Sequence, residues 1–318
     1  MGSVPSMFAT HGLSADRIAQ LGWVLTVISI VVTVIVTTLL LIALARRRGS
    51  TAGDVTADSH ALAINRWIII GGVIVPAAVI AASFVYTLQV QGAVAAPPTR
   101  PVFTVHVIGH RWWWEIRYDG AAPDERLTTA NEIHVPVGRP VRVELTTQDV
   151  IHSFWVPQLA GKTDVINGQT NVTWLEARTP GTYRGECAEY CGVQHANMAL
   201  SVVAEDSAAF DAWLAHQEMP APVPQDTAAQ RGARVFLDSG CPACHIVRGT
   251  WTRGVEGPDL THVGSRLTLG AGLLDNNEGN LAGWVSNAPA LKPGIVMPST
   301  QLDAAQLRAL LAYLGTLR

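Results

Sequence analysis

"CAEYCGVQHANM", residues 187–198, gathers two of the chain's four cysteines with a histidine and a methionine. Cys187, Cys191, His195 and Met198 follow one another at intervals of four, four and three. On a helix that spacing would form one face, and the plainest reading is a small apolar stripe. Gly192 and the strand-rich surroundings argue for a loop instead. A Cys187–Cys191 disulfide in an oxidising compartment is a second reading, and a zinc site a third. The methionine favours copper, because a thioether is a poor zinc ligand, whereas copper electron-transfer sites combine imidazole, thiolate and a weak axial methionine. Two thiolates can each bridge a pair of coppers, with one histidine capping each metal. That arrangement calls for one more histidine from elsewhere.

Around the loop, residues 103–203 carry short alternating runs: "FTVHVIG", "EIHVPVG", "PVRVELTT", "NVTWLEA" and "ALSVVAE". Gly, Pro, Asp and Asn separate them, which predicts an antiparallel sandwich or barrel. "AAFDAWLAHQ" then predicts a helix with Phe210, Trp213 and Leu214 on one face. Six of the ten histidines fall in this domain or its trailing helix. His106 and His134 alternate within strands and read as surface residues. His152, just beyond a strand in "TTQDVIHSFWVPQ", is favoured by its spacing as the missing ligand.

Ahead of this domain the chain is apolar. No charge appears between Arg17 and Arg46, and a second uncharged run extends from Trp67 to Ala96. Each exceeds the roughly 20 residues that cross a bilayer. The first is too long for the core of a cleaved signal peptide, despite Ala43-Leu44-Ala45. Two membrane helices are expected, at about 19–45 and 67–92, with Pro76 tolerated in mid-span. Arg46, Arg47, Arg48 and Arg66 place the intervening loop in the cytoplasm. Both termini then lie outside, on the external or periplasmic side of a plasma membrane. Neither span holds a histidine or an acidic residue, so oxygen or haem chemistry within the membrane belongs to a partner. Net charge is −3 and only 15% of residues are charged, giving no basic surface for nucleic acid.

Behind the sandwich, "EMPAPVPQD" (218–226) is a proline-rich linker. It would tether residues 227–318 at an effective concentration on the order of millimolar. "TAAQRGARVFLDSG" predicts a helix with Thr227 as N-cap and a stop at Gly240. "DAAQLRALLAYLGTL" opens with Asp303 and Gln306 in a capping-box pattern. Between them, "CPACH" (241–245) reads as a c-type haem attachment: Cys241 and Cys244 add to the vinyl groups and His245 ligates iron. A dithiol redox pair or half a zinc site are the alternatives. Met297 is the only methionine after the motif and the natural sixth ligand; His262, its rival, reads as part of a solvated loop. Pro258 in "EGPDL" offers a carbonyl to orient His245, or is simply a turn proline. Residues 227–318 resemble a class I cytochrome c.

The chain as a whole resembles subunit II of a haem–copper cytochrome c oxidase with cytochrome c fused at its carboxy terminus. "GHRWWWEIRY", "DVIHSFWVP", "GKTD" and the C-x-E-x-x-C-G-x-x-H-x-x-M loop carry the likeness. The resemblance implies four parts: 1–96 with two spans, a cupredoxin-like binuclear copper domain at 97–217, the linker 218–226, and an all-α cytochrome c domain at 227–318. It further implies that Cys187 and Cys191 bridge the coppers, with His152 and His195 as caps and Met198 axial. Glu189 would give its backbone carbonyl to copper and its carboxylate to a magnesium at the boundary with subunit I. Trp112 matches the aromatic at which electrons enter; Trp113 and Trp114 read as core. Implied partners are subunits I and III, an external electron donor and membrane lipid. Two departures are Arg111 in place of the family's usual Gln and Trp113 in place of its usual Tyr. A third is Ile64, which stands where many relatives place a proton-uptake glutamate. Two other functions fit parts of the pattern: a membrane-anchored carrier serving another reductase, and a copper-insertion chaperone. The chaperone's thioredoxin-like βαβ pattern is not evident here.

Overall fold

The computed structural model describes residues 6–49, 65–119 and 127–318. The loop joining the two spans, with Ile64, lies outside the described residues. Two compact units emerge, residues 16–96 and a larger one formed by residues up to 15 together with 97–318.

In the first unit, α1 runs over Leu13–Gly49 and α2 over Val75–Ala95. Both are long and apolar enough to cross a membrane. Leu39, Leu40 and Leu41 are all exposed on α1, and Ile74, Ile80 and Phe84 near and along α2. A helix apolar on every side has no wet face, which is the pattern of a span. A π-helical turn, Ile70–Ile74, precedes α2. Pro76 lacks the N–H that a regular helix would donate back one turn, and the wider turn absorbs that irregularity.

The larger unit begins before the first span. His11 N–H donates to the Gln158 carbonyl (2.7 Å), Ala15 N–H to Leu159 (3.2 Å), and Arg178 N–H to His11 (2.8 Å). Residues 9–15, which include the start of α1, therefore fold with the sandwich. The sandwich has two five-stranded sheets. One follows the order β3 (Leu127–Ala130), β2 (Trp113–Tyr118), β1 (Thr104–His110), β5 (Val141–Thr147) and β8 (Asn171–Leu175). The other runs β4 (Glu132–Pro136), β10 (Ala199–Glu205), β9 (Gly181–Cys187), β6 (His152–Trp155) and β7 (Thr163–Val165). Alternation in β1 and β5 sends Val105, Val107, Val141, Val143 and Leu145 into the shared core. Helix α3 (Ser207–Glu218), N-capped by Asp206, lays Phe210 against that core.

His134 corrects the sequence reading: it is buried and stacked flat on Trp213 of α3 (3.9 Å between ring centroids). Glu205 and Glu132 flank its two nitrogens. Alternation misled because β4 is buried on both faces, one of them roofed by the helix.

The haem-motif region is helical: α4 (Thr227–Asp238), α5 (Glu278–Leu291) and α6 (Ala304–Thr316). Asp226, not Thr227, caps α4, since its carboxylate accepts from the N–H groups of Ala228 and Ala229. The Asp303–Gln306 capping box is complete in both directions. The linker does not run free. His262 Nε2 donates a 3.0 Å hydrogen bond to the Met219 carbonyl, and Ala221 N–H donates to the Arg248 carbonyl. His262 is accordingly buried, not on a solvated loop.

Candidate metal centres

The 187–198 stretch is a loop bridging β9 to β10, with only a short 3₁₀ turn at His195–Asn197. Helical spacing is thus replaced by folding back, which brings the sulfurs together more closely than a helix face would. Cys187 Sγ lies 3.8 Å from Cys191 Sγ, and both cysteines are free. His152 Nδ1 is 3.9 Å from Cys187 Sγ, and His195 Nδ1 is 3.7 Å from Cys191 Sγ. Met198 Sδ stands 3.8 Å from Cys191 Sγ, and the Glu189 carbonyl 3.2 Å from Cys187 Sγ. All six residues singled out in the sequence converge here. His152 opens β6, on the sheet that also carries β9, so pairing of these strands delivers it to the loop.

Electrostatics suit a cation. Burial opposes charge on His152, but the Asp149 carboxylate, 2.8 Å from Nε2, outweighs it and raises the imidazole's pKa. Burial likewise opposes ionisation of Asp149, yet hydrogen bonds from His152, Val150 N–H and Thr147 hold it to about 2. Asp149 thereby fixes the ring with Nδ1 toward the sulfurs. Sequence reasoning missed this residue, though it sits three positions before His152. The Cys191 thiol, His152 and nearby backbone groups stabilise a Cys187 thiolate, moving it to about 3 against the cost of burial. Cys191 shifts up in response, because two adjacent thiolates repel. A bound metal cation relieves that repulsion. The donor set, two soft sulfur anions with imidazoles and a thioether, fits copper.

Trp112 closes the loop from one side. Its Nε1–H donates to the Cys191 carbonyl (2.9 Å) and the ring is buried. Gly192, at φ +120°, permits this approach: a Cβ there would stand 2.9 Å from the indole Cζ2. Trp114 is in the core, as expected. Trp113 is not; half-buried, it stacks on His110 at 4.4 Å between centroids.

On the far side of Trp112 lies a cavity of about 380 Å³. Cys241, Cys244, His245 and Met297 line it, as do Arg111, Trp112 and Trp113. His262 does not. His245 Nδ1 lies 2.8 Å from the Pro258 carbonyl, which can only accept, so the proton is on Nδ1 and Nε2 keeps a lone pair. Burial holds that imidazole's pKa down, against the Pro258 bond, and keeps it neutral. A Cβ at Gly257 would stand 2.6 Å from His245 Cε1, so only glycine leaves the ring its place. Arg266 Nε, on the same cavity wall, has no partner among the described residues and suits an acidic substituent. These residues fit a c-type haem.

Sandwich, buried sulfur–imidazole loop and haem-type helical domain define a class: a cupredoxin-like protein with a cytochrome c domain appended. Residues 103–205 match the family model described as cytochrome c oxidase subunit II, periplasmic domain, and residues 229–318 match that of cytochrome c. The chain is similar to cytochrome c oxidase subunit 2 of Alkalihalophilus pseudofirmus, at 40% identity over 67% of this chain and 61% of the relative. Subunit 2 of Bacillus sp. strain PS3 is 34% identical over 67% and 62%. The chain spans about three-fifths of the length of these curated relatives. The crystal structure of the periplasmic domain of subunit II of cytochrome oxidase of Bradyrhizobium japonicum aligns at 29% identity with a TM-score of 0.34, covering 38% of this chain and 96% of that one. Residues 103–205 thus form a domain of the cytochrome c oxidase subunit II family, and residues 229–318 a cytochrome c domain appended to it. Copper and haem binding follow from those two domains.

Proposed function

We propose that the chain is the electron-receiving subunit of a terminal cytochrome c oxidase. It would relay electrons from an external donor, by way of haem c, to a binuclear copper centre and on to the haem of subunit I, where O2 is reduced. One observation carries the reading: Trp112 is a wall of the haem-motif cavity and also hydrogen-bonds the carbonyl of Cys191. When bound, haem c and the copper pair supply one-electron carriers on the two sides of that indole.

The chain's own residues do the holding. Cys187 and Cys191 would hold the copper pair through their sulfurs, His152 and His195 through imidazole, Met198 through its thioether and Glu189 through its carbonyl. Burial of Cys187, Cys191, His152 and Met198 excludes water and fixes their donor atoms before any metal arrives. Cys241 and Cys244 would anchor the haem covalently, and His245 and Met297 would ligate its iron. Glu189 is half-buried next to exposed Tyr190, which suits a carboxylate that meets magnesium and subunit I at an outer face. The two span-length helices anchor the chain in the plasma membrane, with both termini and the metal domains outside and with subunit III and lipid as further neighbours.

Metal analysis with optical and EPR spectra of the purified chain tests the reading. Paired copper with a near-infrared mixed-valence band, together with one covalent haem, is expected. A lone zinc, or a Cys187–Cys191 disulfide as the native state, would overturn it.

A further inference from the structure

Lys292, at the end of α5, is 2% exposed, although lysine is almost never fully buried without a counter-ion. No carboxylate meets it among the described residues. Its Nζ instead donates to three carbonyls: Trp112 (2.8 Å), Asn197 (2.7 Å) and Gly270 (2.7 Å). Three carbonyl acceptors need three N–H donors, which only the protonated amine has.

The three carbonyls belong to three different pieces of the molecule. Trp112 faces the haem-motif cavity, Asn197 sits in the sulfur loop beside Met198, and Gly270 lies in the cytochrome domain. A lysine that merely stabilised the cytochrome fold would not need two acceptors from the copper domain. Several other bonds cross this seam, among them one from the Arg248 guanidinium to the Gln217 carbonyl at the end of α3. Ala199 N–H donates to Ala271 (2.9 Å), Gln194 Nε2 to Pro293 (2.8 Å), and Leu267 N–H to the Glu132 carboxylate. Lys292 brings a full cation to the centre of the seam, where charge-assisted bonds are strongest and least screened by salt.

We propose that Lys292 is a positioning residue, a buried clasp that locks the cytochrome domain onto the copper loop in one orientation with the haem cavity against Trp112. The proposal rests on the functional reading above only for its electron-transfer consequence. A covalent tether alone would let the domain sample many orientations. The clasp selects one, and it does so with directional hydrogen bonds to backbone atoms, so the docked state should tolerate high salt.

The test compares the full, loaded chain with Lys292→Met. When the domains separate, water satisfies the freed carbonyls, so both domains should keep their folds and their haem and copper spectra. Amide hydrogen exchange of peptides carrying Ala199 and Leu267 should accelerate at least tenfold. Electron passage from haem to copper should slow at least tenfold, while direct photoreduction of the copper pair by a small metal complex stays within twofold of wild type. Unchanged exchange at both amides overturns the clasp, whatever the rate does. Should the methionine variant fail to fold, Lys292→Arg gives the same readouts, because a planar guanidinium cannot direct three bonds to converging carbonyls. The exchange measurement needs no copper, so it decides the clasp even if the spectra refute the paired centre.

Discussion

The copper loop and the haem cavity sit on opposite sides of one indole, and they are built in opposite ways. Around the loop, the sulfur, nitrogen and carbonyl donors stand 3.2–3.9 Å apart, most of them buried, with His152 aimed by Asp149. Around the cavity, the ligands line an open space and the core behind them is thin. Among the described residues, eleven form the core cluster of the cytochrome domain, against twenty-seven in that of the sandwich. An ion is small enough for a scaffold to prebuild its site. A haem is as large as several side chains, and its domain uses it as core.

That contrast can be broken most forcefully at the haem. Replacing Cys241 and Cys244 with Ala should cost the cytochrome domain its cooperative fold, a loss equal to its whole stability, which is of order 5–15 kcal/mol for a domain. Circular dichroism would show helix lost and sheet kept; a full native helical signal without haem would defeat the idea. Cys187→Ser makes the converse case. Here the paired centre and its near-infrared band should vanish while the sandwich melts within a few degrees of wild type, because serine nearly keeps the side chain's size and twenty-four of the twenty-seven core residues are not candidate metal donors.

Asp149→Asn sharpens the comparison further. In the metal-free wild type, a carboxylate held near 2, below the usual 3.8, adds stability above about pH 4 that disappears as pH falls through about 2. The difference amounts to about 2 kcal/mol at neutral pH. Acid titrations of both chains, followed by unfolding, should show the wild-type advantage shrinking over that window; a constant gap would mean that Asp149 acts otherwise. Met198→Leu carries the smallest effect. Copper should be retained and its midpoint potential shifted, since the axial bond is weak. Complete loss of metal in that variant would count against an axial role.

Much of this site could be read from residue spacing because its ligands are local. Cys187, Cys191, His195 and Met198 lie within one loop, and "CPACH" is contiguous. The Asp303–Gln306 box was equally plain, as its partners are three residues apart. What escaped reading depends on distant chain. His134 was placed at the surface because β4 alternates, whereas helix α3, some seventy residues later, covers it. Burial of His262 depends on the linker at Met219, and the docking of residues 9–15 on Gln158 and Leu159. Arg111 and Trp113 stood out only as departures from the family; in the structure both line the cavity that the appended cytochrome domain presents.

By itself, the order of residues determined the two long apolar runs, the strand-rich middle, the helical end and the candidate donors at each proposed metal position. Periodicity and short-range chemistry are written along the backbone, so no folding is needed to see them. Only the tertiary structure decided that the cytochrome domain is seated rather than loosely tethered, and that Lys292 is spent on Trp112, Asn197 and Gly270. Those contacts join residues 22 to 180 positions apart, and no local pattern encodes which distant carbonyl a buried ammonium will meet.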